Sequence, residues 1–348
     1  MKIALITGSC GLVGSESAIF FSNKGFKIIG IDNNSRKIFF GKDGDTSWIK
    51  KKLKDNLKNY SHFNIDITNY QSLKKIFAKY KNKINVIIHA AAQPSHDWAK
   101  NKPFIDFKIN AEGTLNLLDL TKTYSPKTPF IFMSTNKVYG DNPNKLKIYE
   151  KSNRWELKTT NKYFEGIDEK FSIDQSTHSF FGVSKTYADL IVQEYGKNVG
   201  LKTVCFRGGC ITGPNHSGAK LHGFLSYLVK LSIKYQRYNI IGYKGKQVRD
   251  NIHSNDLVNC FWEYFKKPTK GEVYNIGGGR YSNCSILEAI NLVEQIKKIK
   301  IKKIYTKKPR VGDHIWYISN MKKFKQHYPN WKQIYNTKKI IEELIYFK

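Results

Sequence analysis

Residues Thr7-Gly8-Ser9-Cys10-Gly11-Leu12-Val13-Gly14 directly follow an apolar run at 2–6, and this junction constrains the fold more than any other stretch. It reads as a strand, a glycine-rich turn and a helix. Gly8 lets the strand turn sharply where a side chain would clash. Gly11 lets backbone approach a bound pyrophosphate, and Gly14 lets the helix pack close to the sheet. The helix N-terminus offers N–H groups and a partial positive charge to phosphates. A second apolar strand at 27–31 ends in Asp32, placed where a partner for a ribose hydroxyl is expected. A carboxylate there repels a 2′-phosphate, so the expected dinucleotide is NAD and not NADP. The expected cofactor contacts in these segments are Gly8, Cys10, Gly11, Leu12, Val13 and Gly14, followed by Asp32, Asn33, Ser35 and Arg36.

At 348 residues the chain can bury a large core, as one large domain or two closely joined ones. No apolar stretch is long enough for a membrane span, and no membrane partner is expected. The start reads as a strand and not as a secretion signal. Cys10, Cys205, Cys210, Cys260 and Cys284 form no CxxC pair and no metal spacing. They fit reduced thiols of a cytoplasmic protein, and no metal site is expected. The formal charge of +31 comes from lysines spread along the whole chain. That distribution argues against a nucleic-acid groove and for general surface usage. A positive field would attract a diphosphate substrate.

Through the first half, short apolar strands alternate with amphipathic helices. A polar, lysine-rich insertion at about 41–61 precedes a third strand at 62–65. Helical spacing marks 70–80, and a buried fourth strand occupies 85–89. A helix is expected at 111–124 and a fifth strand at 129–133. Residues 141–179 form a polar stretch too long for an ordinary loop. A helix at 180–198 and a sixth strand at 202–206 follow. Near the end, Ser285 and Glu288 form a capping box for a helix to about residue 297. The expected fold is α/β, a doubly wound Rossmann parallel sheet with a smaller C-terminal mixed α/β substrate domain. The expected domains are 1–206 for NAD, with the sheet completed by about 247–280, and 207–348 for a nucleotide sugar.

Ligands of open parallel sheets bind at the carboxyl ends of the strands. Candidates are therefore Ala90, Ala91, Ala92, Gln93, Ser95 and His96 after strand four, and Ser134, Thr135, Asn136 and Lys137 after strand five. Phe181, Ser184 and Lys185 open the helix at 180, and Arg207 follows strand six.

With these segments on view, the chain resembles the extended short-chain dehydrogenase/reductase superfamily, in its NAD-dependent nucleotide-sugar epimerase/dehydratase branch. The matching stretches are the glycine turn, Asp66-Ile67, the run from Asn110 to Leu118, Ser134 to Gly140, Arg249-Asp250-Asn251-Ile252-His253, Tyr274-Asn275-Ile276-Gly277-Gly278 and Arg310-Val311-Gly312-Asp313. Within the branch, the segments at 134–141 and 245–250 are most similar to the CDP-paratose (CDP-tyvelose) 2-epimerase group. The resemblance implies inversion of a sugar carbon. A hydride passes to enzyme-held NAD and returns to the other face of a transient keto-sugar. It adds Asp66, Ile67, Asn110, Ser134, Lys185 and Arg207 to the cofactor contacts, which also include Ala90, Ala91 and Ala92, small as backbone beside a cofactor must be. It implies that Thr135 orients the sugar and that Lys185 holds the nicotinamide ribose and lowers the pKa of a neighbouring base. It implies a nucleotide-diphosphate sugar, CDP-linked, as the partner, and a homodimer formed through a helix face. Substrate contacts fall to Gln93, Ser95, His96, Thr135, Asn136, Lys220, Arg249 and Arg310, arginine being suited to bidentate phosphate contact.

One position departs from the family motif, Tyr-x-x-x-Lys. Phe181 stands where the tyrosine belongs, and a phenyl ring carries no proton. Another group then moves the proton, with His178 the leading candidate and His96, Tyr163, Cys210 and His216 also near strand ends. The alternatives are altered chemistry, another nucleotide-sugar dehydrogenase or dehydratase, or a protein that binds NAD and a nucleotide sugar without turnover. Related 4,6-dehydratases carry Asp-Glu after the threonine, whereas this chain carries Asn136 and Lys137. Neither is a carboxylic acid, so incubation with nucleotide-glucose substrates yields no 4-keto-6-deoxy sugar. Accumulation of that product, followed by its ultraviolet absorbance in alkali, would contradict this.

Overall fold

The computed structural model describes residues 1–216, 218, 223–310 and 312–346. The chain opens with β1 (Ile3–Thr7), α1 (Leu12–Asn23), β2 (Lys27–Ile31), α2 (Arg36–Phe40), α3 (Ser47–Asn56) and β3 (Tyr60–Phe63). Next come α4 (Tyr70–Tyr80), β4 (Ile84–His89), α5 (His96–Asn101), α6 (Pro103–Phe107), α7 (Gly113–Tyr124) and β5 (Phe130–Thr135). The hairpin β6 (Ile148–Glu150) and β7 (Trp155–Leu157) precedes α8 (Phe180–Lys197) and β8 (Thr203–Gly208). Then follow β9 (Cys210–Thr212), α9 (Phe224–Ile233), β10 (Tyr238–Ile241), β11 (Val248–His253), α10 (Ser254–Lys266) and β12 (Glu272–Ile276). The last elements are β13 (Asn283–Ser285), α11 (Ile286–Lys297), β14 (Lys303–Thr306), β15 (Trp316–Tyr317), α12 (Lys322–His327) and α13 (Thr337–Tyr346).

The central sheet is parallel, seven-stranded and ordered β3-β2-β1-β4-β5-β8-β12. Its strands are continuous apolar runs because helices cover both faces. Every residue of β1 is buried, with Thr7 paired to Ile31 on one side and His89 on the other. The strand order reverses between β1 and β4, which opens a crevice at their carboxyl ends. The core here gathers Leu5 and Ile29 from the sheet, Leu73 and Phe77 of α4, Leu117 and Leu120 of α7, and Val192 of α8.

Several elements differ from the sequence reading. The third strand is Tyr60–Phe63, two residues earlier than expected, because Tyr60 pairs with Ile28 and Phe63 with Ile31. The 41–61 insertion contains α3, which buries Ile49 and Leu53 beneath a lysine-rich face. The helix expected from 111 begins at Gly113, preceded by a π turn at Lys108–Glu112. Such a turn inserts one residue and re-aims the side chains around it. The capping box forms: Glu288 N–H donates to Ser285 Oγ at 3.0 Å, and Ser285 N–H to Glu288 Oε2 at 2.8 Å.

The compact units divide the chain differently from the expected 1–206, completed by about 247–280, and 207–348. One unit comprises 1–135, 180–207 and 258–274, and the other 136–179, 208–257 and 275–348. The 141–179 stretch therefore belongs to the second unit. Its hairpin pairs Ile148 with Leu157, and Leu157 joins a core with Val248 and Trp316. Within 247–280, β12 supplies the strand that completes the large sheet, while β11 pairs with β9, β13 and β15 in the second unit.

Asp250 of β11 organises this second unit. It is buried, and its Oδ2 accepts from Ser319 N–H at 2.9 Å and Gly279 N–H at 3.2 Å. Burial outweighs those bonds and pushes its carboxyl from 3.8 up to about 6. A group protonated more readily in the folded than in the unfolded chain stabilises most at low pH, and that contribution fades as pH rises through the folded value. Relative to Asp250→Asn, the wild type should therefore lose about 2 kcal/mol of stability between pH 4.5 and pH 7. Urea unfolding at the two pH values measures it, and parallel curves for the two proteins would contradict the assignment.

Candidate functional site

The glycine turn is built by close approach. Gly8 has φ +66°, and a Cβ there would come within 2.7 Å of Ala91 N and 2.8 Å of Ala91 Cα. A Cβ on Gly14 would lie 2.0 Å from the Gly8 carbonyl oxygen, so the glycine is required by the turn itself as well as by the helix. Gly8 N–H donates to Ile31 O at 2.8 Å, which ties the turn to β2. Gly11 caps α1 without a side-chain hydrogen bond, leaving the first-turn amides of Leu12, Val13 and Gly14 to an anionic ligand.

Asp32 is fixed beside this turn. Its Oδ2 accepts from Cys10 N–H at 2.9 Å and its Oδ1 from Asn34 N–H at 2.7 Å. Burial raises its pKa, while those two amides and the charge of Arg36 oppose the rise. Asn33 donates to Asp66 Oδ2 at 3.0 Å and accepts from Ser35 Oγ at 2.6 Å, so Asp32, Asn33, Ser35 and Asp66 form one polar edge. Thr68 N–H donates to Asp66 Oδ1 at 2.8 Å, which shapes the bend that carries Ile67. Arg36 stacks over the Phe40 ring at 4.9 Å, and burial pulls its pKa down to about 10. Its Nη2 is buried with no hydrogen-bond partner among the described residues. A buried donor of that kind is costly unless a ligand completes it. The open turn, the held carboxylate and this donor fit a dinucleotide. Burial and the nearby Asp32 push the Cys10 thiol up to about 12, so it is inert.

At the end of β4, Ala90 and Ala91 lie against Thr7: Ala90 N–H donates to Thr7 O at 3.2 Å and Ala91 N–H to Thr7 Oγ1 at 3.3 Å. Ala92 follows as a small, half-buried residue. His89 is buried, with Nδ1 2.7 Å from Thr7 Oγ1 and Nε2 2.9 Å from Thr114 Oγ1. Asn110 sits in the π turn and binds Gln93 twice: Gln93 N–H donates to Asn110 Oδ1 at 2.9 Å, and Asn110 Nδ2 donates to Gln93 O at 3.0 Å. The same Nδ2 lies 3.1 Å from both Asp106 Oδ1 and Ser184 Oγ. Gln93 Nε2 donates to Asp106 Oδ1 at 2.7 Å. Ser95 caps α5 by accepting from Trp98 N–H at 3.2 Å. Gln93 and Ser95, expected as substrate contacts, thus hold the loop that carries His96. The His96 ring lies against Phe181, with centroids 4.8 Å apart.

Helix α8 is clamped from below. Arg207 meets Asp189 with two bonds, Nε to Oδ2 at 3.1 Å and Nη2 to Oδ1 at 2.7 Å, and Ser134 Oγ donates to Oδ2 at 2.5 Å. Ser134 and Arg207, expected as cofactor contacts, are engaged inside the protein. One turn above Asp189, Lys185 Nζ donates to Met133 O at 2.9 Å and lies 4.1 Å from the Phe132 ring centroid. Burial lowers its pKa to about 8, opposed by Asp189, Cys205 and Asp106. Thr135, half-buried, ends β5 two residues beyond Met133.

In the second unit, Asn136 is buried at the start of a 3-10 turn at Asn136–Tyr139, and Lys137 Nζ donates to Gly312 O at 2.9 Å. Arg249 Nη2 donates to Asp313 Oδ1 at 2.6 Å. Burial works against the Asp313 carboxylate, but Arg249, Lys137 and Arg310 hold its pKa well below the usual range. Burial lowers Lys137 to about 8. These cations around one acid suit an anionic ligand. His178 is a latch: Nδ1 lies 3.1 Å from Ser176 O and Nε2 2.8 Å from Val138 O. Both nitrogens face carbonyls, which leaves it poorly placed to take a substrate proton. Lys220 lies outside the described residues.

Sequence reasoning missed Asp106 and Asp189. Asp106 precedes Asn110 by four residues and Asp189 follows Lys185 by four, the spacing of one helix face. That spacing was the available signal.

The family model for the NAD dependent epimerase/dehydratase family matches residues 4–277. CDP-paratose 2-epimerase of Salmonella typhi is 32% identical, over 93% of this chain and 92% of that protein. UDP-glucuronate 4-epimerase of Thermodesulfobacterium geofontis is 26% identical, over 88% and 84%. Among solved structures, UDP-glucose 4-epimerase from Bifidobacterium longum in complex with NAD+ and UDP superposes with a TM-score of 0.79 at 21% identity, covering 99% of this chain and 97% of that one.

Asp32→Ala should weaken NAD binding about 10- to 100-fold, the effect of losing one charged hydrogen bond. Isothermal titration calorimetry reads it, and unchanged affinity would remove Asp32 from the ribose site.

Proposed function

The chain belongs to the NAD dependent epimerase/dehydratase family, and on that premise we propose that it is a nucleotide-sugar epimerase that inverts one sugar carbon, with a CDP-linked sugar as substrate. NAD is its cofactor, and when bound it accepts a hydride from the sugar carbon and gives it back. The observation that carries the reading is Lys185, buried and bonded to the Met133 carbonyl beside Thr135, on the sheet whose first turn is the dinucleotide cradle.

The chain's own residues divide the work. Asp32 and Arg36 hold the adenosine ribose, and the amides of α1 hold the pyrophosphate. Lys185 holds the nicotinamide ribose, and Thr135 orients the sugar hydroxyl. Arg249 and Arg310 bind the diphosphate, with Lys137 adding to the field. Asn136 and Lys137 supply no carboxylic acid, which supports an epimerase and not a dehydratase. The 32% identity to a CDP-paratose 2-epimerase supports the CDP linkage. Phe181 supplies no phenol, so the acid/base is atypical. We further infer a cytoplasmic homodimer serving surface-polysaccharide synthesis. The dimer is supported by apolar side chains on the packed pair α6 and α8: Phe104 is 89% exposed, Val183 55% and Leu190 44%. A protein that binds NAD and sugar without turnover is the second reading, favoured by Phe181 alone.

The test incubates the holoenzyme with CDP-, UDP- and dTDP-sugars in heavy water. The expected result is interconversion of a CDP-sugar with its epimer and no deuterium at the inverted carbon, because the same hydride returns. Deuterium at that carbon, seen by mass spectrometry, would replace hydride recycling with proton abstraction from carbon. Retained NAD with no interconversion of any sugar would favour the binding protein.

A further inference from the structure

Phe181 leaves a gap in the chemistry that the fold fills from a neighbouring helix. Phe181 opens α8 one turn before Lys185 and is buried. Its ring is met by the His96 imidazole, with centroids 4.8 Å apart and planes tilted by 58°. A phenol at 181 would extend its oxygen past the ring edge, and an imidazole against that ring brings a titratable nitrogen to the same neighbourhood. We propose that His96 is the acid/base group of this enzyme, acting from beside Phe181 in place of the missing phenol.

The surroundings of His96 favour the role. It is the first residue of α5, and Ser95 fixes that end of the helix through Trp98 N–H at 3.2 Å. The preceding loop is locked by the paired bonds between Gln93 and Asn110. Helix α5 packs on α8, so the ring is held relative to Lys185. His96 is half-buried and lies at the start of α5, after the end of β4. Both His89 nitrogens meet threonine hydroxyls, and both His178 nitrogens meet backbone carbonyls. Lys185 Nζ binds the Met133 carbonyl. Phe181 then acts as an apolar wall that orients the imidazole and keeps water from one of its faces.

The step balances within the cycle. The neutral imidazole nitrogen takes the proton of the sugar hydroxyl as the C–H bond of that carbon breaks. Its electron pair leaves as hydride to the oxidised cofactor, and a carbonyl forms. When the hydride returns to the opposite face, the imidazolium gives its proton back to the carbonyl oxygen. No net oxidation occurs.

This inference rests on the epimerase reading, and the experiment separates the two. Wild type, His96→Asn, Phe181→Tyr and the double variant are compared as holoenzymes on the sugar that the wild type interconverts. His96→Asn should lose at least 100-fold in kcat, within the usual range for a general acid or base, with bound NAD and melting temperature unchanged. The double variant should regain at least tenfold, because the new phenol restores a proton carrier beside Lys185. Independently of turnover, the His96 ring resonance, identified by its disappearance in His96→Asn, should shift when the nucleotide sugar is added. An active wild type with His96→Asn within threefold of it, or a ring resonance that the sugar leaves unmoved, overturns this inference alone. A wild type inactive on every sugar of the panel overturns the epimerase reading and this inference with it.

Discussion

The buried pair of Asp189 and Arg207 sets the geometry on which the rest of the nucleotide-binding unit depends. Asp189 projects from α8, Arg207 from β8, and Ser134 from β5, and all three meet in a region closed to water. A carboxylate in such a place is tolerable only with a charged, well-aligned partner. The helix therefore has one rotational setting. That setting puts Lys185 against the Met133 carbonyl and Ser184 against Asn110, and turns Phe181 toward His96. The ion pair specifies position more than it adds stability, since two desolvated charges gain little over apolar packing.

The strand ends carry two kinds of polar residue with different tasks. Some are left open to a ligand, as the α1 amides are. Others face inward and hold the loops that present the first group. Gln93 and Ser95 belong to the second kind, as do Ser134 and Arg207. The π turn before α7 makes this possible, because the extra residue places Asn110 where its amide satisfies Gln93, Asp106 and Ser184 together. Burial raises the pKa of Asp106, opposed by Ser184, Gln93 and Lys185, so that network also sets the field around the lysine.

Charge follows a similar division. Most of the +31 is spread along the chain. The charge with a local task is the small group of Lys137, Arg249 and Arg310 about Asp313, where burial makes each interaction stronger than on the surface. Burial lowers the Lys137 pKa to about 8, and the Asp313 carboxylate opposes that fall.

The glycine turn, the acid after β2, the parallel sheet and the capping box were legible in the chain itself, because each arises from short-range causes: strand periodicity, glycine's freedom from a Cβ, and a serine three residues before a glutamate. The absence of a phenol at 181 was equally plain. What needed the tertiary structure were contacts between distant segments. The register of β3 is decided by its pairing with β2, and the membership of 136–179 by packing against β11 and β15. His178 is turned to two backbone carbonyls, one of them that of the distant Val138, and Gln93 turns inward because Asn110 and Asp106 wait there. Local sequence fixes what a segment can form; the buried polar partners that choose a side chain's direction come from elsewhere in the chain.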